Sequence, residues 1–468
     1  MWEKIGKSLG RPVVISKTKA AFLLGIFVLA FGFRVWANVR QPVTIRGGLG
    51  PFGDSVLYHR AAYNLYTGHG FSGTDDWRAF GLSNNSNPLV YKPIVIRGPA
   101  YPFFISCIYK FWGDPADMRS FDTWHKNWDK VRLAQCFLDA LTCLLVFFIV
   151  GLVMPRTLAP AVIAAVLYCF SFYNIFYTRA LLSESLTTFL VTIFLLSCLW
   201  SLRVNRTLCW VISGILLGLL SLARTEYLPF VLIVGGIIFV ANKGIPIIAL
   251  KKILLFCLGV SLAVLPWTLR NYNLFKKVFP VSTGGVGIAL YLGTFDGFRT
   301  WPDWFRLPES IFYDQKEKAD FFSALPLYMV YSVSGGIEVD IPDKLFKDLA
   351  LKRIRRDPCR CLKSWLLKIP RLWYQNRIPS YLEKEASGNF FIFYFIFATA
   401  AFCLVGNAGA RLMMTPVVGL LIYFTVIFLP LYVEPRYSVA VMPAIISLSG
   451  IGVYAAGKAL APLIKRSI

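Results

Sequence analysis

Long apolar runs recur along the chain and limit what it can fold into. Each run holds about 15–22 residues, which is enough, or nearly enough, for a helix to cross the ~30 Å hydrocarbon core of a bilayer. The 468-residue chain is 56% hydrophobic and has a mean hydropathy of +0.59. The runs predict an all-α polytopic membrane protein with about ten transmembrane helices, over residues 20–37, 131–153, 157–178, 185–203, 207–223, 227–241, 253–271, 389–405, 412–432 and 437–457.

Two apolar stretches need a separate interpretation. Residues 207–241 would make a single helix about 51 Å long at 1.5 Å per residue, which is too long for one span. The charged break Arg224-Thr225-Glu226 therefore predicts two spans joined by a turn. The stretch at 102–112 is short and ends in Trp112, so we expect it to lie in or dip into the membrane interface.

Basic residues give the chain a net charge of +24. In a soluble protein such a charge would suggest nucleic acid, but in a membrane protein basic residues orient the spans and meet anionic headgroups. We therefore expect a bilayer, and no nucleic acid, as a partner. With ten spans, the basic N-terminus, the short basic connections and the tail Lys465-Arg466 all fall on the cytoplasmic side.

This topology divides the chain. Both termini are predicted to be cytoplasmic, and residues 38–130 and 272–388 form two long non-cytoplasmic loops that carry interfacial helices. Residues 1–271 are then a transmembrane core that includes the first long loop. Residues 272–388 form an outer-face loop domain, with helical stretches around 343–356 and 361–377, and residues 389–468 form the C-terminal transmembrane helices.

Ionisable residues that are far apart in sequence fall on one face in this topology. Asp54 follows the first span, Glu184 begins the fourth, and Arg224 lies between the fifth and sixth. Arg270 ends the seventh span, and Arg436 begins the tenth, next to Tyr437. Ionisable groups at span ends also snorkel into headgroups, so anchoring alone accounts for each of them. Convergence on one side is nevertheless what a site requires.

The surroundings of Asp54 have a structural interpretation. Apolar and aromatic residues recur at helical spacing between residues 58 and 66, and Gly68 and Gly70 would end the helix. An amphipathic interfacial helix fits this pattern, with Asp54 or Ser55 as its N-cap. A capping carboxylate is also fixed in place, so this role is compatible with a chemical one.

Other candidate residues have similar alternatives. In IRGPAYPFF, Pro99 and Pro102 bracket Tyr101 and predict a rigid extended chain. Arg97 just before them is either a headgroup anchor or a cation beside a bound phosphate. Glu184 lies in a first helical turn, where its negative charge interacts favourably with the helix dipole whether or not it has a role in a site.

The motifs of soluble enzymes are absent from the sequence. There is no Walker loop and no HExxH or CxxC pair. The acids Asp75-Asp76 are expected to be solvated in a loop, so a divalent metal is possible but not indicated, and we predict no cofactor. The glycines at 284–288 predict a turn, within an ordered strand-turn segment at 280–297.

An early acid and five short motifs, in this order along the chain, resemble the pattern of a known family. The early Asp54 is followed by R-x-P-x-Y-P at 97–102, S-E-x-L-x-x-F-L at 183–190, A-R-T-E at 223–226, P-W-x-x-R-N at 266–271 and E-P-R-Y-x-x-x-x-x-P at 434–443. The chain resembles the GT-C-type membrane glycosyltransferases. It is most similar to the bacterial relatives of the protein O-mannosyltransferases and of the lipid A aminoarabinose transferase.

This resemblance implies a function. Such enzymes move a sugar from a polyprenyl-phosphate donor to an acceptor at the non-cytoplasmic face, with inversion. The matching catalytic base is Asp54, and Glu184 matches a second acid in the site. The residues that match substrate and phosphate binding are Arg97, Tyr101, Arg224, Arg270, Arg436 and Tyr437. The implied location is a bacterial inner membrane.

The acceptor and the rival functions stay open at this point. Protein O-mannosyltransferases carry an Asp-Glu pair and a β-trefoil, whereas Asp54 is followed by Ser55 and residues 272–388 show no such repeat. The acceptor is therefore a lipid, a glycan or a protein. A flippase or transporter of lipid-linked sugars is one alternative, although it would need ionisable groups at the bilayer midplane. A polysaccharide polymerase or ligase is the other.

Overall fold

The computed structural model describes residues 17–40, 54–74, 90–112, 124–242, 244–283, 285–295, 312–334, 336, 338, 340–373 and 388–467. Its helices, in chain order, are α1 (Lys17–Arg40), α2 (Asp54–Tyr66), α3 (Ala100–Trp112), α4 (Trp124–Val153), α5 (Ala159–Cys169), α6 (Phe172–Tyr177), α7 (Glu184–Val204), α8 (Cys209–Ala223), α9 (Phe230–Ala241), α10 (Pro246–Phe275), α11 (Val286–Gly293), α12 (Gln315–Ser334), α13 (Asp340–Arg356), α14 (Pro358–Leu367), α15 (Ile369–Trp373), α16 (Gly388–Leu404), α17 (Ala408–Phe428) and α18 (Met442–Ser467). The strands β1 (Ser72–Thr74) and β2 (Tyr91–Pro93) pair antiparallel.

The predicted all-α polytopic fold is confirmed. Among the described residues, six helices are long and apolar enough to span a membrane: Ala20–Arg40, Lys130–Val153, Glu184–Val204, Pro246–Phe275, Ala408–Phe428 and Arg436–Pro462. Four shorter apolar helices are Ala159–Cys169, Cys209–Ala223, Thr225–Ala241 and Ile392–Leu404. Together they occupy the ten predicted segments. The break at Arg224 is present, because α8 ends at Ala223 and a 3-10 turn follows it.

The third predicted span is not one helix. It breaks between α5 and α6, and Arg34 of α1 donates hydrogen bonds to the carbonyls of Cys169 (3.2 Å) and Tyr168 (3.4 Å) beside the break. The guanidinium of Arg34 also pairs with Asp139 of α4, and both side chains are buried. In a bilayer each backbone polar group needs a partner inside the protein, so this ion pair accommodates the break.

The two segments that were predicted to be outer loops share a hydrophobic core. Phe71 and Ile94 beside the β-hairpin pack with Tyr291 of α11 and Phe346 of α13, so the two predicted outer loops meet. The division of the chain at residues 271 and 388 stays a prediction.

Two local predictions in these segments are wrong. Tyr101 lies in helix α3 and not in extended chain, because Pro102 falls in the first turn, where a missing N–H breaks no helical hydrogen bond. Within the segment at 280–297, Val286–Gly293 form helix α11 and not a strand. Asp343 of α13 accepts hydrogen bonds from the amides of Gly287 and Ile288 and so caps the N-terminus of α11.

Small residues bring α8 and α10 into close contact. A Cβ added to Gly214 would lie 2.1 Å from the carbonyl oxygen of Phe256, and one added to Gly259 would lie 2.2 Å from that of Val211. Such backbone approach between membrane helices requires residues without a side chain. Because α8 leads directly into Arg224, this packing fixes where that arginine lies.

Substituting Gly214 tests the packing. Gly214→Ala is expected to lower the free energy of unfolding by about 1–3 kcal/mol, the usual cost of overpacking, since a backbone carbonyl must move. Gly235→Ala on α9 is the matched control, because an added Cβ there meets nothing within 4 Å. Thermal unfolding of the purified protein in detergent measures both, and equal melting temperatures would contradict the close approach.

Candidate functional site

Asp54 lies between two arginines. In the first turn of α2, its Oδ1 accepts a hydrogen bond from Arg97 Nη2 at 2.5 Å. Its Oδ2 accepts one from Arg436 Nη2 at 2.9 Å, across 382 positions of sequence. Burial opposes ionisation of Asp54, but the two guanidinium groups outweigh it and hold the pKa of this carboxyl well below its usual range. Asp54 is therefore a stable carboxylate.

A second set of charges lies next to this pair. Glu184, the first residue of α7, has Oε1 3.7 Å from Arg224 Nη1, and Arg224 Nε donates a hydrogen bond to Glu226 at 2.6 Å. Arg436 Nε lies 2.6 Å from Glu434 Oε2. Three arginines and four carboxylates thus lie next to one another, on helix α2, on the segment before α3 and at the ends of three apolar helices. We call Asp54, Glu184, Glu226, Glu434, Arg97, Arg224 and Arg436 the charged cluster.

Neither predicted cap of α2 makes a capping bond. The hydroxyl of Ser55 is buried without a hydrogen-bond partner, and both oxygens of Asp54 face arginines. A helix is present over Asp54–Tyr66, and Gly68 and Gly70 end it with positive φ angles of 85° and 70°. Its polar residues His59, Arg60 and Asn64 are buried as well as its apolar ones, so its predicted place at the membrane interface stays a prediction. In the absence of a capping role for Asp54, the structural interpretation of this residue rests on its ion pairs.

Backbone contact aligns Arg97 with Arg224. A Cβ added to Gly98 would lie 2.3 Å from the carbonyl oxygen of Leu222, at the end of α8. The chain after the β-hairpin therefore presses against this helix end, where Arg224 adopts an extended conformation. Gly98 was not predicted as a site residue, although it stands in the R-x-P-x-Y-P motif.

Aromatic rings orient the arginines. The guanidinium carbon of Arg224 lies 5.2 Å from the ring centroid of Tyr437, and that of Arg436 lies 5.6 Å from it. Arg97 lies 5.3 Å from the ring centroid of Tyr58. Such cation–π contacts hold a guanidinium group while leaving its N–H donors available. Tyr437 thus contacts two arginines of the charged cluster, and its predicted role in substrate binding stays a prediction. Tyr58, which belongs to the helical pattern at 58–66, contacts the third arginine.

Tyr101 has a different position. It is completely buried, and its hydroxyl donates a hydrogen bond to Gln135 Oε1 of α4 at 2.6 Å. Its ring meets that of Tyr58 edge to face at 4.9 Å. Tyr101 therefore supports the ring that holds Arg97, and its predicted role in substrate binding stays a prediction.

Arg270 is not brought into the charged cluster. Its guanidinium donates to the backbone carbonyls of Ile94 (2.9 Å) and Phe71 (3.0 Å) and lies 4.7 Å from the ring centroid of Trp267. These contacts fasten the β-hairpin segment to the end of α10. Its predicted phosphate role stays a prediction.

Sequence reasoning also left Glu226 and Glu434 without a role. Both stand in motifs that carry predicted site residues, A-R-T-E with Arg224 and E-P-R-Y with Arg436 and Tyr437. Their proximity to arginine in sequence was the available signal, since Glu226 pairs with Arg224 and Glu434 with Arg436.

A metal site does not emerge from the part of the chain that the structure describes. No group of three or more His, Cys, Asp or Glu side chains there could hold an ion. The acids Asp75-Asp76 lie outside the described residues.

The chemistry of the cluster suits an anionic ligand with a polar neighbour. Guanidinium forks match phosphate oxygens in two-point contacts. Oε2 of Glu184 and the hydroxyl of Tyr227 are buried without hydrogen-bond partners. Unpaired buried polar atoms are costly in a folded protein and mark places where a ligand or water completes the bonding.

Comparison with known proteins identifies the fold. No family model and no curated protein matches the sequence. The oligosaccharyltransferase of Archaeoglobus fulgidus in the apo form superposes with a TM-score of 0.52 at 13% identity, over 97% of this chain and 52% of that one. The same enzyme tethered with an acceptor peptide gives 0.51 at 12% identity, over 95% and 50%.

A third structure of that archaeal enzyme, AglB in complex with an inhibitory peptide and a dolichol-phosphate, gives a TM-score of 0.51 at 13% identity, over 97% of this chain and 52% of that one. The chain thus spans about half the length of these proteins. The predicted GT-C membrane glycosyltransferase fold is confirmed.

Arg270→Ala tests the fastening role of this residue. Loss of charged hydrogen bonds to two backbone carbonyls is expected to cost about 1.5–3 kcal/mol or more of unfolding free energy. Arg270→Lys is the conservative control and should recover part of this, since one ammonium group reaches a carbonyl but lacks the fork. An unchanged melting temperature for Arg270→Ala in detergent would contradict the assignment.

Proposed function

We propose that this protein is a membrane glycosyltransferase that moves a sugar from a polyprenyl-phosphate donor to an acceptor at the non-cytoplasmic face, with inversion. The observation that carries the proposal is the charged cluster, in which four carboxylates and three arginines meet within a GT-C fold. A similar fold holds a dolichol-phosphate in the archaeal enzyme. The location in a bacterial inner membrane is part of the proposal.

The proposed reaction accounts for every bond that forms or breaks and for the proton. An acceptor hydroxyl or amine attacks C1 of the sugar, and the bond from C1 to the phosphate oxygen breaks with its electron pair on that oxygen. Asp54 takes the proton of the acceptor as general base. The products are the inverted glycoside and the polyprenyl phosphate, and Asp54 then returns its proton to water.

The arginines have a role in the same step. Negative charge grows on the phosphate as its bond to the sugar breaks, and fixed guanidinium groups stabilise that charge more in the transition state than before it. Arg97 and Arg436, which flank Asp54, are the proposed phosphate ligands, with Arg224 behind them. Glu184, 3.7 Å from Arg224, is the proposed partner of the sugar hydroxyls.

The surroundings of the cluster suit a lipid substrate. A polyprenyl donor enters sideways from the bilayer, so its phosphate must be met at the membrane surface. Helix α3 exposes Phe111 (83%) and Trp112, and α14 exposes Leu362, Leu366 and Leu367 beside basic residues. Short helices with exposed apolar side chains favour the interface, which supports a site at headgroup level.

Transfer in proteoliposomes tests the function. Wild-type protein should form product from a polyprenyl-phosphate-linked sugar, and Asp54→Asn should lower kcat by about 100-fold or more because the base is lost. Asp340→Asn is the matched control, since that exposed carboxylate pairs with Lys277 outside the cluster. Equal transfer by Asp54→Asn would refute the base assignment. Movement of the donor across the bilayer without product would favour the flippase alternative.

The expectation that no cofactor is needed has its own test. Every proposed step uses side chains of this chain and the two substrates. Treatment with EDTA should therefore leave the initial rate of transfer within about twofold of the untreated rate, since a metal Lewis acid would contribute several kcal/mol. A rate that is lost on chelation and restored by Mg²⁺ or Mn²⁺ would overturn this expectation.

A further inference from the structure

Asp54 is held in a way that conflicts with use as a base. Each of its two oxygens accepts a hydrogen bond from a different guanidinium group. A carboxylate held in this way is a weak base, because protonation would remove the negative charge that pairs with both guanidinium groups. The same two arginines are the proposed ligands of the lipid phosphate, which also presents two oxygens to two cations.

We infer that Asp54 occupies the lipid-phosphate position in the donor-free protein, and that the arriving phosphate exchanges with it between Arg97 and Arg436. The released carboxylate then faces the acceptor as the base. This inference rests on the proposed function and adds a dependence to it: the base becomes active only once the donor phosphate is bound.

Exposure supports exchange at this position. The side chains of Arg97, Asp54 and Arg436 are 27%, 23% and 24% exposed, whereas Glu184 deeper in the cluster is 3% exposed. Asp54 also lies in the first turn of α2, where no helical hydrogen bond depends on its side chain. Glu226 (23%) and Glu434 (22%) are about as exposed as Asp54, but among the carboxylates of the charged cluster Asp54 is the one that bridges Arg97 and Arg436.

The arginines are retained by other contacts when Asp54 leaves. Arg97 lies on the ring of Tyr58, and Arg436 keeps Glu434 at 2.6 Å and the ring of Tyr437. The Nε atom of Arg97 is buried without a hydrogen-bond partner, so this guanidinium has a donor to spare. Both cations are therefore prepared for a second anion.

The exchange also fixes the order in which the proton and the lipid product leave. The product is a phosphate monoester with a charge of about −1.5 to −2 at pH 7, so it binds the arginines more tightly than the diester donor. Asp54 competes for the same arginines, but only as a carboxylate. It must first lose the proton that it took from the acceptor, so proton release precedes lipid release.

Binding of farnesyl phosphate to the full-length protein in detergent tests the exchange, with farnesol as the phosphate-free control. Asp54→Asn removes the competing anion and should tighten Kd by about 10-fold or more while transfer is lost. A structural defect would weaken binding instead. Glu434→Gln is the matched variant, since it removes the same charge from Arg436 without bridging to Arg97, and it should tighten Kd by less than about threefold.

The outcomes separate this inference from the proposed function. Unchanged or weaker binding by Asp54→Asn, with transfer lost, overturns the exchange and leaves the glycosyltransferase. Equal gains in Asp54→Asn and Glu434→Gln also overturn it, because they indicate a general charge effect. No binding of farnesyl phosphate and no transfer by the wild type refute the function itself. If Asp54→Asn does not fold, Asp54→Ser removes the same charge and is held to the same criteria.

Discussion

The pairing of arginines with carboxylates at the ends of the spans is the constraint on which the site depends. An isolated charge in a low-dielectric environment is costly, and an ion pair with hydrogen bonds offsets much of that cost. Asp54, Glu184, Arg224 and Arg436 come from distant parts of the chain, so they can share this environment only when the bundle is assembled. The fold and the site therefore form together.

The chain uses the same type of pair for different purposes. Arg34–Asp139 is fully enclosed and accommodates a broken span, and Arg353–Glu317 (2.7 Å) is enclosed in the core of the outer segments. These pairs have no access to a ligand and are structural. The pairs of Asp54 are about one quarter exposed, so accessibility and not the ion pair itself separates the candidate site from the scaffold.

The sequence was sufficient for features that depend on local pattern and failed where a distant partner decides. Apolar length predicted the ten segments, and the charged break predicted the turn at Arg224. Helix α11 was missed because its N-terminus is completed by Asp343, which lies some fifty residues later. Arg270 lies at the end of a predicted span like the other arginines, so the sequence pattern does not distinguish it from them. What distinguishes it is its hydrogen bonds to the carbonyls of Phe71 and Ile94, which are distant in sequence.

The strongly lowered pKa of Asp54 has a consequence for acid stability and for catalysis. Its sign is fixed, because a group whose folded pKa is depressed contributes stability above its unfolded pKa of about 3.9 and loses it only as the pH falls towards the folded value. The pair with Arg97 and Arg436 is thus fully formed at neutral pH, where such a carboxylate is a weak base. A base that is strong enough to assist attack at C1 requires that another anion take over the arginines. In the proposed reaction the lipid phosphate of the donor is that anion, so the free energy of its binding would activate the group that starts the reaction.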